Sequence, residues 1–223
     1  MTGSIEIFGR RNSSNVAPVM WAVGELDLDH VRHNVGGSFG GLDEQYAKLN
    51  PNRLVPVVRD GDVVLWESSA IVRYLAATYG EGSLWPEDTA MRGIADQWME
   101  WCKTTLNPTF FPIFWQLIRT PAEDCDREQV ERSVAATART LGILEQHLGT
   151  TPYIGGNSLT MGDLPFGSLI YRYFNLDITR PALPNIESWY GRLCERSAYQ
   201  THIMIPFGRN KNEWDALERQ GVD

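Results

Sequence analysis

The chain has 223 residues, 43% of them apolar and 22% charged, proportions that are typical of a globular protein with a buried core. Its formal net charge of −8 disfavours a protein that holds nucleic acid by neutralising phosphates. No run of about 18 apolar residues predicts a membrane span, and no secretory segment is recognisable, so we expect a cytoplasmic protein with no membrane partner.

Strand and helix patterns alternate along the first 80 residues. Residues 5–8 indicate a short strand, and apolar residues then recur at helical spacing from Val16 to Leu26. Pro18 falls in the first turn of that helix, where a missing N–H costs no hydrogen bond. A second strand over 30–35 and a short helix over 42–49 follow.

Two further strands are joined around Asp60-Gly61, a tight hairpin signal. An amphipathic helix comes next, with Ile71, Tyr74, Leu75 and Thr78 expected on one side. This order predicts a four-stranded mixed sheet with helices on both faces. Its first two strands should be parallel with a right-handed crossover, and its last two antiparallel.

The alternation ends after a linker over residues 81–88. Helical segments are predicted over about 89–118, 123–148, 160–175 and 184–198, and the tail after Phe207 indicates either a short helix or a frayed end. Thr160 and Asp163 are spaced like a capping box, so we expect a structural role for Asp163. The fold class is therefore an α/β domain followed by an all-α domain.

Two serines and an asparagine, Ser13, Ser14 and Asn15, lead directly into the first predicted helix. Such residues commonly cap helices, and the pattern taken alone favours that interpretation. The alternative is that one hydroxyl is aimed at an anionic group.

Six segments together resemble the cytosolic glutathione S-transferases, of the serine-type, bacterial or theta-like kind. They are FGRRNSSNV, LNPNRLVPVV and WESSAIVRYLA in the first half, and ADQWMEW, LTMGDLPFGSLIY and PNIESWYGRLCER in the second. Each is weak, but their order and spacing are specific. The resemblance implies a thioredoxin-like glutathione-binding domain over 1–80, a helical-bundle domain over 89–223 that contributes the electrophile site, and a homodimer.

The family's chemistry joins the glutathione thiolate to an electrophile, and the resemblance makes Ser13 the activating hydroxyl, with Asn15 as a second donor. Ile7 and Phe8 stand where tyrosine-type members carry their tyrosine, which disfavours the tyrosine type. No cysteine precedes Cys102, which disfavours a mixed disulfide between glutathione and the enzyme at this site. Lowering a thiol pKa by about two units requires roughly 2.7 kcal/mol. One hydrogen bond to a charged group contributes about 1.5–3 kcal/mol, so neither a catalytic base nor a metal is required.

The resemblance also implies the glutathione-binding residues. Val55-Pro56 is expected as a cis peptide whose Val55 N–H and C=O pair with the cysteinyl backbone of glutathione. Glu67 and Ser68, at the head of the third helix, complement the γ-glutamyl ammonium and carboxylate. Arg53 either holds the glycine carboxylate or is a solvated turn residue, because Leu54 stands where many relatives carry lysine.

The electrophile site is expected on the first helix of the second domain, with Phe111 and Trp115 lining an apolar pocket, although most aromatic residues of such a stripe belong to a core. Pro108 and Pro112 are expected to bend this helix. Two alternatives stay open, a glutathione-dependent disulfide reductase or peroxidase and a noncatalytic transferase-fold binding module. The sequence does not identify the electrophile.

Overall fold

A four-stranded sheet forms the centre of the first domain in the computed structural model, which describes residues 4–220. Its strands are β1 (Ile5–Phe8), β2 (His30–His33), β3 (Val57–Asp60) and β4 (Val63–Trp66), in the order β2-β1-β3-β4. β2 runs parallel to β1, while β3 is antiparallel to both β1 and β4. The predicted mixed sheet and its hairpin are therefore confirmed.

Three helices complete this domain: α1 (Ala17–Glu25), α2 (Glu44–Ala47) and α3 (Ser68–Tyr79). α1 is buried on nearly all sides because it packs against α3 and also against the second domain. The predicted side of α3 is partly wrong. Thr78 is exposed, and the buried side instead includes Val72 and Ala76, whose small side chains allow the close approach of α1.

The second domain is entirely helical over the described residues. Its helices are α4 (Thr89–Trp101), α5 (Asn107–Phe114), α6 (Arg127–Leu148), α7 (Gly167–Asn175), α8 (Pro184–Cys194), α9 (Ser197–His202) and α10 (Lys211–Gln220). The predicted helical segments are confirmed, but two starts are wrong. α6 begins at Arg127 instead of residue 123, and α7 follows a single 3-10 turn over Leu164–Phe166 instead of beginning at residue 160. The tail forms a helix.

One continuous helical segment extends from α4 to residue 119. π-helical turns over Cys102–Leu106 and Trp115–Arg119 flank α5 on both sides. Pro108 and Pro112 lie within α5 and lack the backbone N–H groups that regular α-helical hydrogen bonds require. The π-helical turns therefore occur next to the two prolines that were expected to disturb this helix.

The two domains share an interface centred on α1. Trp21 packs edge-on against Tyr199 of α9, with ring centroids 4.9 Å apart, and Arg196 donates two hydrogen bonds to Glu25. The loop between β1 and α1 is also held from the helical domain, because Arg172 Nη2 donates to the carbonyl of Asn12 at 2.7 Å. This loop therefore lies in the cleft between the domains.

Candidate functional site

Ser13 lies in the loop before α1 and is 6% exposed. Its backbone carbonyl accepts hydrogen bonds from the N–H groups of Val16 and Ala17, at 3.1 and 2.9 Å. The residue that precedes the helix is Val16, and no side chain of the described residues caps this end. The interpretation of Ser13, Ser14 and Asn15 as a helix cap is therefore wrong.

The hydroxyl of Ser13 has no hydrogen-bond partner within residues 4–220. A nearly buried hydroxyl without a protein partner is available to a ligand. Asn15 is exposed, and no hydrogen bond joins its amide to Ser13. The structure thus brings Ser13, but not Asn15, to the wall of the cleft.

The segment before β3 lies beside this loop. The Val55-Pro56 peptide is cis, as expected, and the backbone N–H and C=O of Val55 have no partner in the part of the chain that is described. A methyl group built on Gly9 would meet Val55 at 3.4 Å and Val16 at 2.4 Å, so the loop and the segment are in close contact.

Two residues support this segment that the sequence did not single out. The Tyr46 hydroxyl and the Asn50 amide both donate to the carbonyl of Leu54, at 2.9 and 2.8 Å. Burial raises the pKa of Tyr46 to about 12, so its hydroxyl remains a donor at neutral pH. They hold the backbone that carries Val55.

Glu67 precedes α3 with φ of 72°, a left-handed conformation that is uncommon for residues other than glycine. Such backbone strain clusters at functional sites. The carboxylate of Glu67 does not cap the helix. It accepts instead a hydrogen bond from Lys103 Nζ, at 2.5 Å, across the domain cleft. Ser68, the first residue of α3, is half-buried beside it.

Lys103 was missed in the sequence because it lies 36 positions from Glu67 and in the other domain. Arg53 is exposed, and its guanidinium is paired with Glu44 of α2, so it is not an uncompensated cation. Arg10 is paired with Glu218 of α10 at 2.9 Å and is therefore not free surface charge.

Phe111 and Trp115 differ from their aromatic neighbours. Phe110 and Phe114 are buried in the core, whereas Phe111 and Trp115 are 43% and 44% exposed, with ring centroids 5.5 Å apart. They follow Lys103 along the same helical segment. The structure therefore presents an exposed aromatic pair on the element that also reaches Glu67.

Family models match both parts of the chain, the glutathione S-transferase N-terminal domain over residues 7–83 and the C-terminal domain over 104–197. Glutathione S-transferase GstB of Escherichia coli strain K12 is 38% identical over 205 residues, which cover 91% of this chain and 99% of the relative. The chain belongs to the glutathione S-transferase family. It is an enzyme of that family, as its motifs predicted.

Solved structures agree with this assignment. The theta class glutathione S-transferase of Xanthomonas axonopodis pv. citri, with glutathione bound, is 42% identical, with a TM-score of 0.89 over 93% of this chain and 100% of that one. A plant relative matched by sequence, glutathione S-transferase 3 of Zea mays, is 29% identical over 207 residues, 89% of this chain and 93% of the relative. This chain therefore shares its fold with the glutathione-bound theta class structure.

Residues 4–220 contain neither a metal-binding cluster nor a membrane-spanning helix. No group of three or more His, Cys, Asp or Glu side chains is placed there to hold a metal ion. None of the helices described is both long and apolar enough to cross a membrane.

Proposed function

We propose that this transferase activates the glutathione thiolate with the Ser13 hydroxyl for attack on a hydrophobic electrophile. The observation that carries the proposal is the nearly buried hydroxyl of Ser13, which lacks a partner within residues 4–220. Ser13 lies in the loop that contacts the Val55 segment. The glutathione-bound theta class relative supports the part of the proposal that concerns glutathione binding.

Residues 1–80 supply the glutathione site in this proposal, and residues 89–223 supply the electrophile site. The open backbone groups of Val55 pair with the cysteinyl part of glutathione, as in an added strand. The opposite charges of Glu67 and Lys103 complement the ammonium and carboxylate of the γ-glutamyl end, with Ser68 as a further donor. Arg53 reaches the glycine carboxylate only if it leaves Glu44.

In the reaction, the bound thiol loses its proton to solvent, and the Ser13 hydroxyl, which keeps its own proton, donates a hydrogen bond to the resulting thiolate. The thiolate then forms a carbon–sulfur bond with the electrophile. Either a leaving group departs with the electrons of its bond, or an activated double bond takes up the thiolate on one carbon and a proton from solvent on the other. One hydrogen bond to a charged acceptor contributes about 1.5–3 kcal/mol, which covers the roughly 2.7 kcal/mol that a shift of two pKa units requires.

The test is Ser13→Ala. We expect the variant to keep most of its glutathione affinity, while the pKa of the bound thiol rises by about one to two units and kcat/KM at neutral pH falls about 10- to 100-fold. The thiol pKa is read from the ultraviolet absorbance of the thiolate as a function of pH. Ser14→Ala is the matched control, and an unchanged thiol pKa in Ser13→Ala would move the role to Asn15 or Ser14.

A second candidate is glutathione-dependent disulfide reduction, with two glutathione molecules providing the electrons. The observation that favours it is the absence of cysteine before Cys102, which leaves the Ser13 site without a thiol of its own. A panel of electrophiles and mixed disulfides separates the two activities.

A noncatalytic binding module is the third candidate and ranks last. Failure of the protein to bind glutathione in a titration would favour it. A cytoplasmic homodimer remains a prediction that sedimentation and fractionation can test.

A further inference from the structure

Three arginines form a cluster beside the loop that carries Ser13, and two of them belong to this loop or contact it. Arg10 belongs to the loop itself, Arg119 ends the π-helical turn after α5, and Arg172 lies on α7. Arg172 is only 8% exposed and stacks on the ring of Phe114 at 4.3 Å. The guanidinium of Arg119 lies over Trp115 at 5.1 Å and over Trp214 of α10 at 4.5 Å.

The negative charges near this cluster do not balance it. Glu218 pairs with Arg10 and accepts from the N–H of Ser38, and Asp215 pairs with Lys211 at 2.5 Å. Within residues 4–220, Arg119 makes no hydrogen bond or ion pair, and Arg172 has no carboxylate partner. A buried cation without a counter-charge is costly, so the cluster favours an added anion.

The cations also affect each other. Burial, together with the charges of Arg119 and Arg10, lowers the pKa of Arg172 to about 9. Burial and the charge of Arg10 lower the pKa of Arg119, although Glu218 and Asp215 act in the opposite direction. Both guanidinium groups remain charged at neutral pH, where they repel one another.

An unsatisfied donor lies against the same cluster. Trp214 is 1% exposed, and its Nε1–H has no acceptor among the described residues. A buried donor in that condition marks a place where a ligand, ion or water is expected. The guanidinium groups of Arg119 and Arg172 lie 4.5 and 5.8 Å from the centroid of the Trp214 ring, so this donor adjoins the arginine cluster.

The cluster is continuous with the proposed electrophile site. Phe111, Trp115 and Arg119 are spaced four residues apart on one helical segment, so they lie on one side of it. Arg172 reaches the other wall of the cleft through the carbonyl of Asn12, the residue before Ser13. An aromatic ring held by Phe111 and Trp115 would therefore have its acidic substituent near Arg119.

We propose that Arg119, with Arg172 and the Nε1–H of Trp214, binds the carboxylate of an anionic electrophile and makes this transferase selective for acidic substrates. The inference rests on the proposed function, since it needs the glutathione thiolate as the nucleophile. Arginine is suited to this role because its planar guanidinium binds a carboxylate in a bidentate manner.

The test compares two electrophiles that differ in charge, 4-chloro-3-nitrobenzoate and 4-chloro-3-nitrobenzamide. In both, the thiolate displaces chloride from the ring, and each rate is divided by its uncatalysed rate with glutathione. In Arg119→Met, which keeps the alkyl stem and loses the charge, we expect kcat/KM for the benzoate to fall about 10- to 100-fold and that for the benzamide to change less than about twofold.

Arg132→Met on α6 is the matched control, because Arg132 is an exposed arginine and its loss changes the net charge equally. It should leave both rates unchanged. Equal losses for the two probes in Arg119→Met, or no loss, would overturn the proposal, as would a raised KM for glutathione. Failure of the proposed function is distinguishable, because Ser13→Ala would then leave both rates unchanged.

Binding is measured independently of catalysis with benzoate and benzamide as unreactive ligands. The indole N–H resonance of Trp214, assigned from its loss in Trp214→Phe, should shift with benzoate in the wild type. It should shift much less with benzamide, and with benzoate in Arg119→Met. A resonance that benzoate does not move in the wild type would contradict the site even if neither electrophile is turned over.

Discussion

At the scale of single residues, Asp163 is the most densely bonded carboxylate of the helical domain. Its Oδ1 accepts from the N–H of Ile154 and from Trp189 Nε1, both at 3.0 Å. Its Oδ2 accepts from the N–H of Thr160 at 2.9 Å and from the hydroxyl of the same residue at 3.3 Å. Asp163 is fully buried. Through these hydrogen bonds it joins the turn before α7 to Trp189 on the core face of α8.

We therefore expect Asp163→Asn to lower the free energy of unfolding by about 3 kcal/mol, because an amide group would face donors and leave buried N–H groups without an acceptor. Urea denaturation measures the change. Asp124→Asn, an exposed carboxylate in the same domain, serves as the control and should change stability by less than about 0.5 kcal/mol. A loss below about 1 kcal/mol in Asp163→Asn would contradict this account.

The sequence predicted part of this residue's role. The spacing of Thr160 and Asp163 indicates a local turn, and the structure confirms that contact. The bond from Trp189 was not predictable, because it comes from another helix 26 positions away. Side-chain spacing reports contacts within one turn, whereas contacts between elements depend on how the elements pack.

At the scale of elements, α10 shows the same limit. Its sequence allowed either a helix or a frayed end, and what favours the helix lies elsewhere in the chain. Trp214 packs against Phe114, with ring centroids 5.5 Å apart, and Glu218 reaches Arg10 and Ser38 in the first domain. The helix is thus attached to both domains.

The attachment through Glu218 should depend on pH. Burial acts to raise the pKa of Glu218, but the N–H of Ser38 and the charge of Arg10 outweigh it and hold the pKa below the ordinary value of 4.5. The folded protein therefore binds this proton less tightly than the unfolded chain does. The stabilisation is present above about pH 4.5 and is lost as the pH falls through the lower, folded value.

We expect hydrogen exchange in α10 to accelerate, relative to α6, as the pH falls from 4.5 through the lower pKa that Glu218 has in the folded protein. Exchange rates are corrected for the intrinsic effect of pH and compared between the wild type and Glu218→Gln. The variant lacks the titrating group, so its α10 should exchange faster at neutral pH and show little further change on acidification. Identical pH profiles in the two proteins would exclude Glu218 as the group responsible.

The sequence contains a helix-capping signal for α6 that lies after the predicted start of this helix. The predicted helix begins at residue 123, but the chain forms a 3-10 turn over Ala122–Asp124 and α6 begins at Arg127. Asp126 caps it by accepting from the N–H of Gln129 at 2.9 Å. Asp126 and Gln129 match a capping box more closely than the start that was predicted.

At the scale of the whole molecule, the site lies where two domains meet. Ser13, Val55 and Glu67 were predicted because they belong to motifs of the first domain. Lys103 and Arg119 were not predicted as site residues, because they reach the cleft only after the helical domain packs against α1. The fold was therefore predictable from local patterns and resemblance. In the helical half of the candidate site, the resemblance led to the aromatic pair Phe111 and Trp115 but not to the charged residues Lys103 and Arg119 on the same helical segment.

The same interface contains a half-buried histidine, His202. His202 of α9 packs so closely on α1 that a methyl group built on Gly24 would lie 2.7 Å from its ring. Burial, reinforced by the nearby His30, Arg11 and Arg32, lowers the pKa of His202 to about 4 from the ordinary 6.5. The imidazole is consequently neutral in the folded protein at physiological pH.

Because the unfolded chain takes up this proton near pH 6.5 and the folded protein does so only near pH 4, the unfolded state binds more protons in between. The free energy of unfolding should be undiminished above about pH 6.5 and should decrease as the pH falls towards 4. His202→Gln removes the titrating group, so its stability should decrease less over the same range. Urea midpoints at several pH values measure the difference, and parallel curves for the wild type and the variant would show that this histidine does not couple domain packing to pH.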